Sequence, residues 1–211
     1  MKPLRRRLLL ATGSLALLAA CRRRERWPPL PSAAVVVALG DSITYGTGAT
    51  PQTSYPSVLA ALTGWRVVNA GVPGDTSAQA MTRLPALLAE HRPAMVIVSV
   101  GGNDFLRRLP ESDTRAHVER IVVDARAAGA LPLLIGVPRP TVTGALTGSL
   151  DDHPLFEDLA TKQRVPLAAG LWARVLGDER LKSDAIHANA AGYRAFAETL
   201  HLRLRELGIA L

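Results

Sequence analysis

The chain has 211 residues, 48% of them hydrophobic and 20% charged, enough for one domain of about 180 residues with a sizeable core once a leader is set aside. No internal repeat or low-complexity tract makes it a repeat array or a disordered chain. The formal net charge of +7 does not describe a nucleic-acid surface: residues 1–26 hold eight Lys/Arg and one Glu, and the remainder holds 17 basic and 17 acidic side chains, so the folded part has no net field to draw a polyanion.

In chain order, the first element is a leader. MKPLRRR is a positive n-region, and Leu8 to Ala20 is a 13-residue apolar region, too short to span a bilayer as a permanent helix. Leu18-Ala19-Ala20-Cys21 resembles a bacterial lipobox, in which Cys21 is lipidated and becomes the mature N-terminus. The alternative is an ordinary signal peptide with Cys21 incidental. Cys21 is the only cysteine and so has no disulfide partner, which favours the lipobox. The expected layout is a lipoprotein-type signal peptide over residues 1–20, a tether over 21–32 whose Arg22–Pro31 stretch (RRRERWPPLP) is basic and Pro-rich, and one domain over 33–211. That layout places the protein in a bacterial cell envelope, held to a membrane through Cys21. The Arg5–Arg7 triplet also admits twin-arginine export.

After the tether, strand-like and helix-like patterns alternate. Ala33–Leu39 predicts a strand, Tyr55–Thr63 a helix, Arg66–Ala70 a strand and Thr76–His91 a helix. Met95–Val100 predicts a third strand, Asp113–Ala128 a helix ended by Gly129, and Leu131–Val137 a fourth strand. Leu155–Gln163 reads as helix, Val165–Ala168 as a fifth strand and Asn189–Leu207 as the closing helix. Continuous apolar strands separated by helices predict a parallel sheet covered on both faces, a three-layer α/β/α domain. Such sheets place their sites at the carboxyl ends of the strands. The GDS turn carrying Ser42, the GVPGDTS loop and the GGND loop all follow strands, so they should gather at one edge.

A serine hydroxyl is a weak nucleophile unless an imidazole takes its proton, and the imidazole needs a carboxylate to fix its tautomer. Of five histidines, His91 lies at a helix end and His117 and His201 lie within helices, where packing or solvation accounts for them. His153, in the polar DDHP loop, stays open. His187 sits in KSDAIHANAAGY just before a helix, with Asp184 three residues upstream, a spacing that lets the carboxylate reach Nδ1 while Nε2 faces Ser42. The plainer reading of Asp184 is a turn cap. Oxyanion donors are available in the Ser42 N–H, the Gly74 N–H and the Asn103 side chain. Their plainer readings are turn geometry and loop fixing.

GDSIT, NAGVPGDTS, GGND and DAIH together resemble the four signature blocks of the SGNH (GDSL) hydrolase superfamily. VVNAGVPGDTS, TRLPALLAEHRP and SVGGNDFLR resemble, within it, the bacterial multifunctional acyl-thioesterase/lysophospholipase (arylesterase) family, over roughly residues 34–204. The resemblance implies a flavodoxin-like parallel sheet of about five strands and a serine hydrolase without metal or cofactor. It implies Ser42 as nucleophile, His187 as base and Asp184 as its orienter. It also implies an oxyanion hole from the Ser42 and Gly74 N–H groups and the Asn103 side chain, with Gly71 the runner-up glycine. The G-x-S-x-G elbow of α/β-hydrolases is absent, in agreement. Ala185 and Ala188 stand where the family's D-G-x-H-P-N has glycine and proline, and Phe105–Pro110 and Pro138–Leu150, where the family shapes its acyl groove, match it poorly. Expected substrates are lipid, aryl or thioester acyl compounds. The alternatives are a deacetylase of cell-envelope carbohydrate on the same parts and a catalytically silent envelope lipoprotein.

Overall fold

A computed structural model describes residues 27–139 and 150–211. The expected signal peptide, Cys21, residues 22–26 and most of the Pro138–Leu150 loop lie outside the described residues. Five parallel strands form one sheet: β1 (Val35–Gly40), β2 (Arg66–Gly71), β3 (Met95–Ser99), β4 (Leu131–Ile135) and β5 (Leu167–Ala168), in the order β2-β1-β3-β4-β5. This is the flavodoxin-like order, and it reverses between β1 and β3, where such sheets open a crevice at their carboxyl ends.

Eight α-helices are described: α1 (Ser42–Tyr45), α2 (Tyr55–Thr63), α3 (Ser77–His91), α4 (Gly102–Leu106), α5 (Glu111–Ala127), α6 (Pro154–Gln163), α7 (Leu171–Leu176) and α8 (Ala190–Glu206). Successive strand residues point to opposite faces. Val36, Ala38, Ile97 and Ile135 therefore pack with Tyr55, Trp172 and Phe196 of α2, α7 and α8. Val37, Leu39, Val98 and Leu134 pack on the other face with Leu84, Ile121 and Phe156 of α3, α5 and α6. Both faces are covered, which is why the strands read as unbroken apolar runs.

The pairing register places the site. Gly40 is level with Gly71 on one side and Ser99 on the other, so the three segments that follow leave the sheet at one height. A Cβ on Gly40 would strike Thr44, and one on Gly71 would strike the Tyr45 backbone; glycine at both lets α1 fold back over the strand ends. Asp41 caps α1 by accepting from the Ile43 N–H at 3.0 Å, and Ser42 becomes its first residue.

Strand limits differ from expectation by one residue at the ends of β1, β2 and β3 and by two residues at three other points. Ala33 has φ +62°, outside the strand region, so β1 starts at Val35. Val137 lies beyond β4 and accepts from the His153 N–H at 2.9 Å, and the Val165 N–H closes α6 by donating to Ala160 at 3.0 Å. Of the segment expected as a tether, residues 27–32 are described, and they are bound to the domain. The Trp27 N–H donates to the Leu207 carbonyl and the Leu30 N–H to that of Ile209, both at 2.9 Å, and both side chains pack on the core.

Candidate active site

Three elements converge at the carboxyl edge. α1 presents Ser42, the loop between β2 and α3 presents Gly74, and α4 presents Asn103. The loop before α8 supplies the rest. It is held as a narrow hairpin: Lys182 pairs with Ala188, the Ser183 N–H donates to the His187 carbonyl at 3.0 Å, and Asn189 Nδ2 donates to the carbonyls of Arg180 and Lys182 at 2.9 and 3.1 Å. Asn189 also caps α8 through the Gly192 N–H at 3.0 Å. The hairpin closes without the family's glycine and proline at Ala185 and Ala188.

His187 Nε2 lies 2.9 Å from Ser42 Oγ, and His187 Nδ1 lies 2.7 Å from Asp184 Oδ2. The structure thus brings together Ser42, His187 and Asp184. Asp184 Oδ1 accepts from the Ile186 and His187 N–H groups, each at 2.9 Å, so the turn-cap reading and the orienting reading of Asp184 are one geometry, one oxygen for each. The Ile186 N–H, followed by the His187 ring, holds its carboxyl below the usual carboxylate range. With a carboxylate facing Nδ1, the proton sits on Nδ1, and Nε2 is left to accept from Ser42. Such a chain can draw a proton off the hydroxyl as that oxygen attacks.

His153 serves elsewhere. It caps α6, with Nδ1 accepting from the Leu155 N–H at 3.3 Å, and stacks on Phe105 with ring centroids 4.4 Å apart. His117 Nδ1 lies 3.0 Å from Ser77 Oγ, a packed role on its helix.

Gly74 has φ +84°, a backbone shape that suits glycine, and its N–H, like that of Ser42, makes no hydrogen bond among the described residues. The Gly71 N–H instead donates to Asn69 Oδ1 at 3.0 Å, which separates the two candidate glycines. Asn103 Nδ2 donates to the Asp75 carbonyl at 2.9 Å and faces Asp41 Oδ2 at 3.5 Å. The bond to Asp75 is well formed; the contact to Asp41 is long, so the second N–H can exchange it for a better acceptor.

Sequence reasoning missed three supports. Arg83 of α3 donates to Asp75 Oδ2 at 2.8 Å and to the carbonyls of Gly40 and Ala70 at 3.3 and 3.1 Å. It ties the loop that carries Gly74 to the ends of β1 and β2, and its place in TRLPALLAEHRP was the signal. Arg107 donates to the Gly74 carbonyl at 2.8 Å. Asp41 is buried beneath α1. Beside Ser42, Ile43, Leu106, Val137, Leu176 and Ile186 line an apolar cavity of about 180 Å³.

Burial pushes the Asp41 carboxyl up to about 6, against an ordinary 3.8, with the Ile43 N–H and His187 pulling back. A carboxyl whose folded value exceeds its unfolded one favours folding while protonated, so its ionisation costs stability as pH rises between those values. Asp41→Asn keeps an oxygen for the Ile43 N–H and cannot ionise. It is expected to exceed the wild type in stability at pH 8 by up to roughly 3 kcal/mol. The gap should close as the pH falls to about 4. Urea unfolding across that range measures it, and a gap independent of pH would refute the titration of Asp41.

Residues 38–195 match the GDSL-like Lipase/Acylhydrolase family. The chain belongs to that family. It is 33% identical over 181 residues to Thioesterase 1/protease 1/lysophospholipase L1 of Escherichia coli (strain K12), covering 83% of this chain and 86% of that protein. It is 36% identical over 207 residues to Esterase TesA of Pseudomonas aeruginosa, covering 95% of this chain and 99% of that one. A crystal structure of TesA superposes with a TM-score of 0.72 at 31% identity, over 82% of this chain and 99% of that one. The resemblance read from the four blocks and the three-layer α/β fold are both borne out, and the chain is a hydrolase of the SGNH/GDSL type. Among the described residues no helix is long and apolar enough to cross a membrane.

Proposed function

We propose that this hydrolase cleaves carboxylic esters and thioesters through an acyl-enzyme on Ser42. The observation that carries the reading is His187 standing 2.9 Å from Ser42 Oγ and 2.7 Å from Asp184 Oδ2. Ser42 Oγ attacks the acyl carbon while its proton passes to His187 Nε2. The carbonyl oxygen takes the negative charge and is met by the Ser42 and Gly74 N–H groups and by the Asn103 N–H that otherwise makes the long contact to Asp41, interactions that strengthen only as charge develops. Collapse breaks the bond to the leaving oxygen or sulfur, which leaves with the proton from Nε2. Water then attacks the acyl-enzyme, gives its proton to Nε2, and releases the acid as Ser42 Oγ regains a proton. Asp184, held ionised, steadies the imidazolium and takes no proton itself. These steps use only this chain's groups, substrate and water.

The apolar cavity beside Ser42 supports a hydrocarbon acyl chain over an acetyl group on carbohydrate, and the complete hydrogen-bonded chain argues against a silent fold. Relatives named thioesterase, lysophospholipase and esterase support the same chemistry. The test is hydrolysis of p-nitrophenyl esters from acetyl to palmitoyl, an acyl thioester and a lysophospholipid. Turnover of at least one apolar acyl ester is expected. Cleavage of acetylated carbohydrate alone would replace this reading with the deacetylase.

We further propose export and a lipid anchor on Cys21, on the strength of the leader and the solitary cysteine. In a bacterial host the wild type is expected to take up labelled fatty acid and to fractionate with membranes, and Cys21→Ser to lose the label. A wild type that takes up none would refute the anchor.

A further inference from the structure

The two oxyanion donors outside α1 sit on separate pieces of chain, so something must set the distance between them. α4, which carries Asn103, has five residues and opens at Gly101 with φ +113° and no side-chain cap; a helix that short does not hold itself. Gly74 lies in a loop, three residues before α3 begins. Between them stands Asp104, whose side chain reaches back from α4 to the first residue of α3. Asp104 is 2% exposed. Its Oδ2 accepts from the Ser77 N–H at 2.8 Å, and its Oδ1 accepts from the Ser77 hydroxyl at 2.5 Å and the Thr114 hydroxyl at 3.2 Å. Because Ser77 Oγ–H donates to Asp104, the oxygen is left to accept from His117 Nδ1 at 3.0 Å. Two further bonds join the same pieces: Asn103 Nδ2 to the Asp75 carbonyl and Arg107 to that of Gly74, at 2.9 and 2.8 Å. The first of those two is part-buried and the second exposed, whereas the Asp104 bonds are buried, where hydrogen bonds are strongest and an unpaired partner is most costly.

We propose that Asp104 is a positioning residue for the oxyanion hole: by tying the start of α3 to α4 it sets Gly74 and Asn103 at the separation the developing oxyanion needs. This rests on the acyl-enzyme reading above. Asp104 makes no hydrogen bond to Ser42, His187 or Asp184, so its hydrogen bonds act on the donors and not on the reacting groups. Donors must meet the oxyanion at about 2.7–3.1 Å, and a misplacement near 1 Å costs about 10²-fold in rate.

The test compares the full-length wild type, Asp104→Ala, Asn103→Ala and their double variant on the best ester of the panel. Asp104→Ala is expected to lose about 10²-fold in kcat with KM within about threefold, because the lost contact matters mainly in the transition state. Asn103→Ala alone should lose about 10²–10³-fold. The double variant should fall no more than about tenfold below Asn103→Ala, since both changes disable the same hole. Fluorophosphonate labelling at Ser42 should persist, slowed, in all three. Should Asp104→Ala not fold, Ser77→Ala removes the hydroxyl bond, keeps the Ser77 N–H bond, and is expected to show about a tenfold kcat loss with the same KM behaviour. A folded Asp104→Ala or Ser77→Ala with wild-type kcat, a loss confined to KM, or a double variant whose loss is the product of the two single losses would overturn the inference while leaving the acyl-enzyme standing. A wild type without hydrolysis or labelling would take down both.

Discussion

Ser42→Ala is expected to abolish fluorophosphonate labelling and to lower kcat by about 10⁶-fold, the scale seen when a hydrolase loses its nucleophile. The change takes one oxygen from a half-buried position and leaves the support around it. α1 is capped by the Asp41 side chain and the left-handed Gly46, neither of which uses the Ser42 hydroxyl, so the melting temperature should stay near that of the wild type. His187 keeps its bond to Asp184. The other serines close to the sheet edge are poor substitutes. Ser99 is 4% exposed and its hydroxyl accepts from Trp172 Nε1 at 3.0 Å, and Ser77 is buried against Asp104. Labelling that persists in Ser42→Ala, mapped to another serine by peptide analysis, would remove Ser42 from the mechanism. A well-folded wild type that neither labels nor hydrolyses any ester of the panel would leave a silent fold.

What was legible in the sequence was what repeats or lies close along the chain. The apolar runs marked all five strands, because a parallel sheet buried on both faces leaves no polar alternation to confuse. Asp184 and His187 were legible as a pair because three residues separate them and one turn brings them together. Ser42, Gly74 and Asn103 followed from loops at strand ends. The rest depends on partners far apart in sequence. Arg83 lies 43 residues from Gly40, and Asp104 lies 27 from Ser77; no period encodes such contacts. α1, α4 and α7 span four to six residues, too short for a helical repeat to show. Gly71 and Gly74 look alike in GVPG, and it takes the structure to tell them apart, by the bond from Gly71 to Asn69 and the positive φ of Gly74.

Two of the short pieces that the sequence concealed, α1 and α4, carry the proposed site residues Ser42 and Asn103. α1 has one turn, capped by a buried carboxyl, and α4 is held by its Asn103 and Asp104 side chains to Asp75 in the loop before α3 and to Ser77 at the start of α3. The sheet supplies height and direction through the level ends of β1, β2 and β3, and polar side chains supply the last positioning. Gly40 and Gly71 belong to the same arrangement, since a side chain at either would push α1, and Ser42 with it, out of line.

Asp184→Asn tests the other end of the hydrogen-bonded chain, and the geometry fixes how it should fail. Oδ1 accepts from two backbone N–H groups, those of Ile186 and His187. In the variant the amide oxygen must take that place, because an NH₂ there would face two donors. The amide nitrogen is then forced toward His187 Nδ1, where it can only donate. The ring answers by moving its proton to Nε2, which points at Ser42 Oγ and can no longer accept. The turn stays intact while the base is switched off. A kcat loss of about 10⁴-fold is expected, with KM little changed and some turnover remaining from the oxyanion hole. Asp184→Ala makes an informative partner. It imposes no tautomer, so on this account it should retain more activity than the closer isostere, despite losing the turn cap. Fluorophosphonate labelling rates and kcat on one ester, measured for both variants beside melting temperatures, decide the matter. A folded Asp184→Asn within tenfold of the wild type would show that Asp184 caps the turn and does not govern the imidazole.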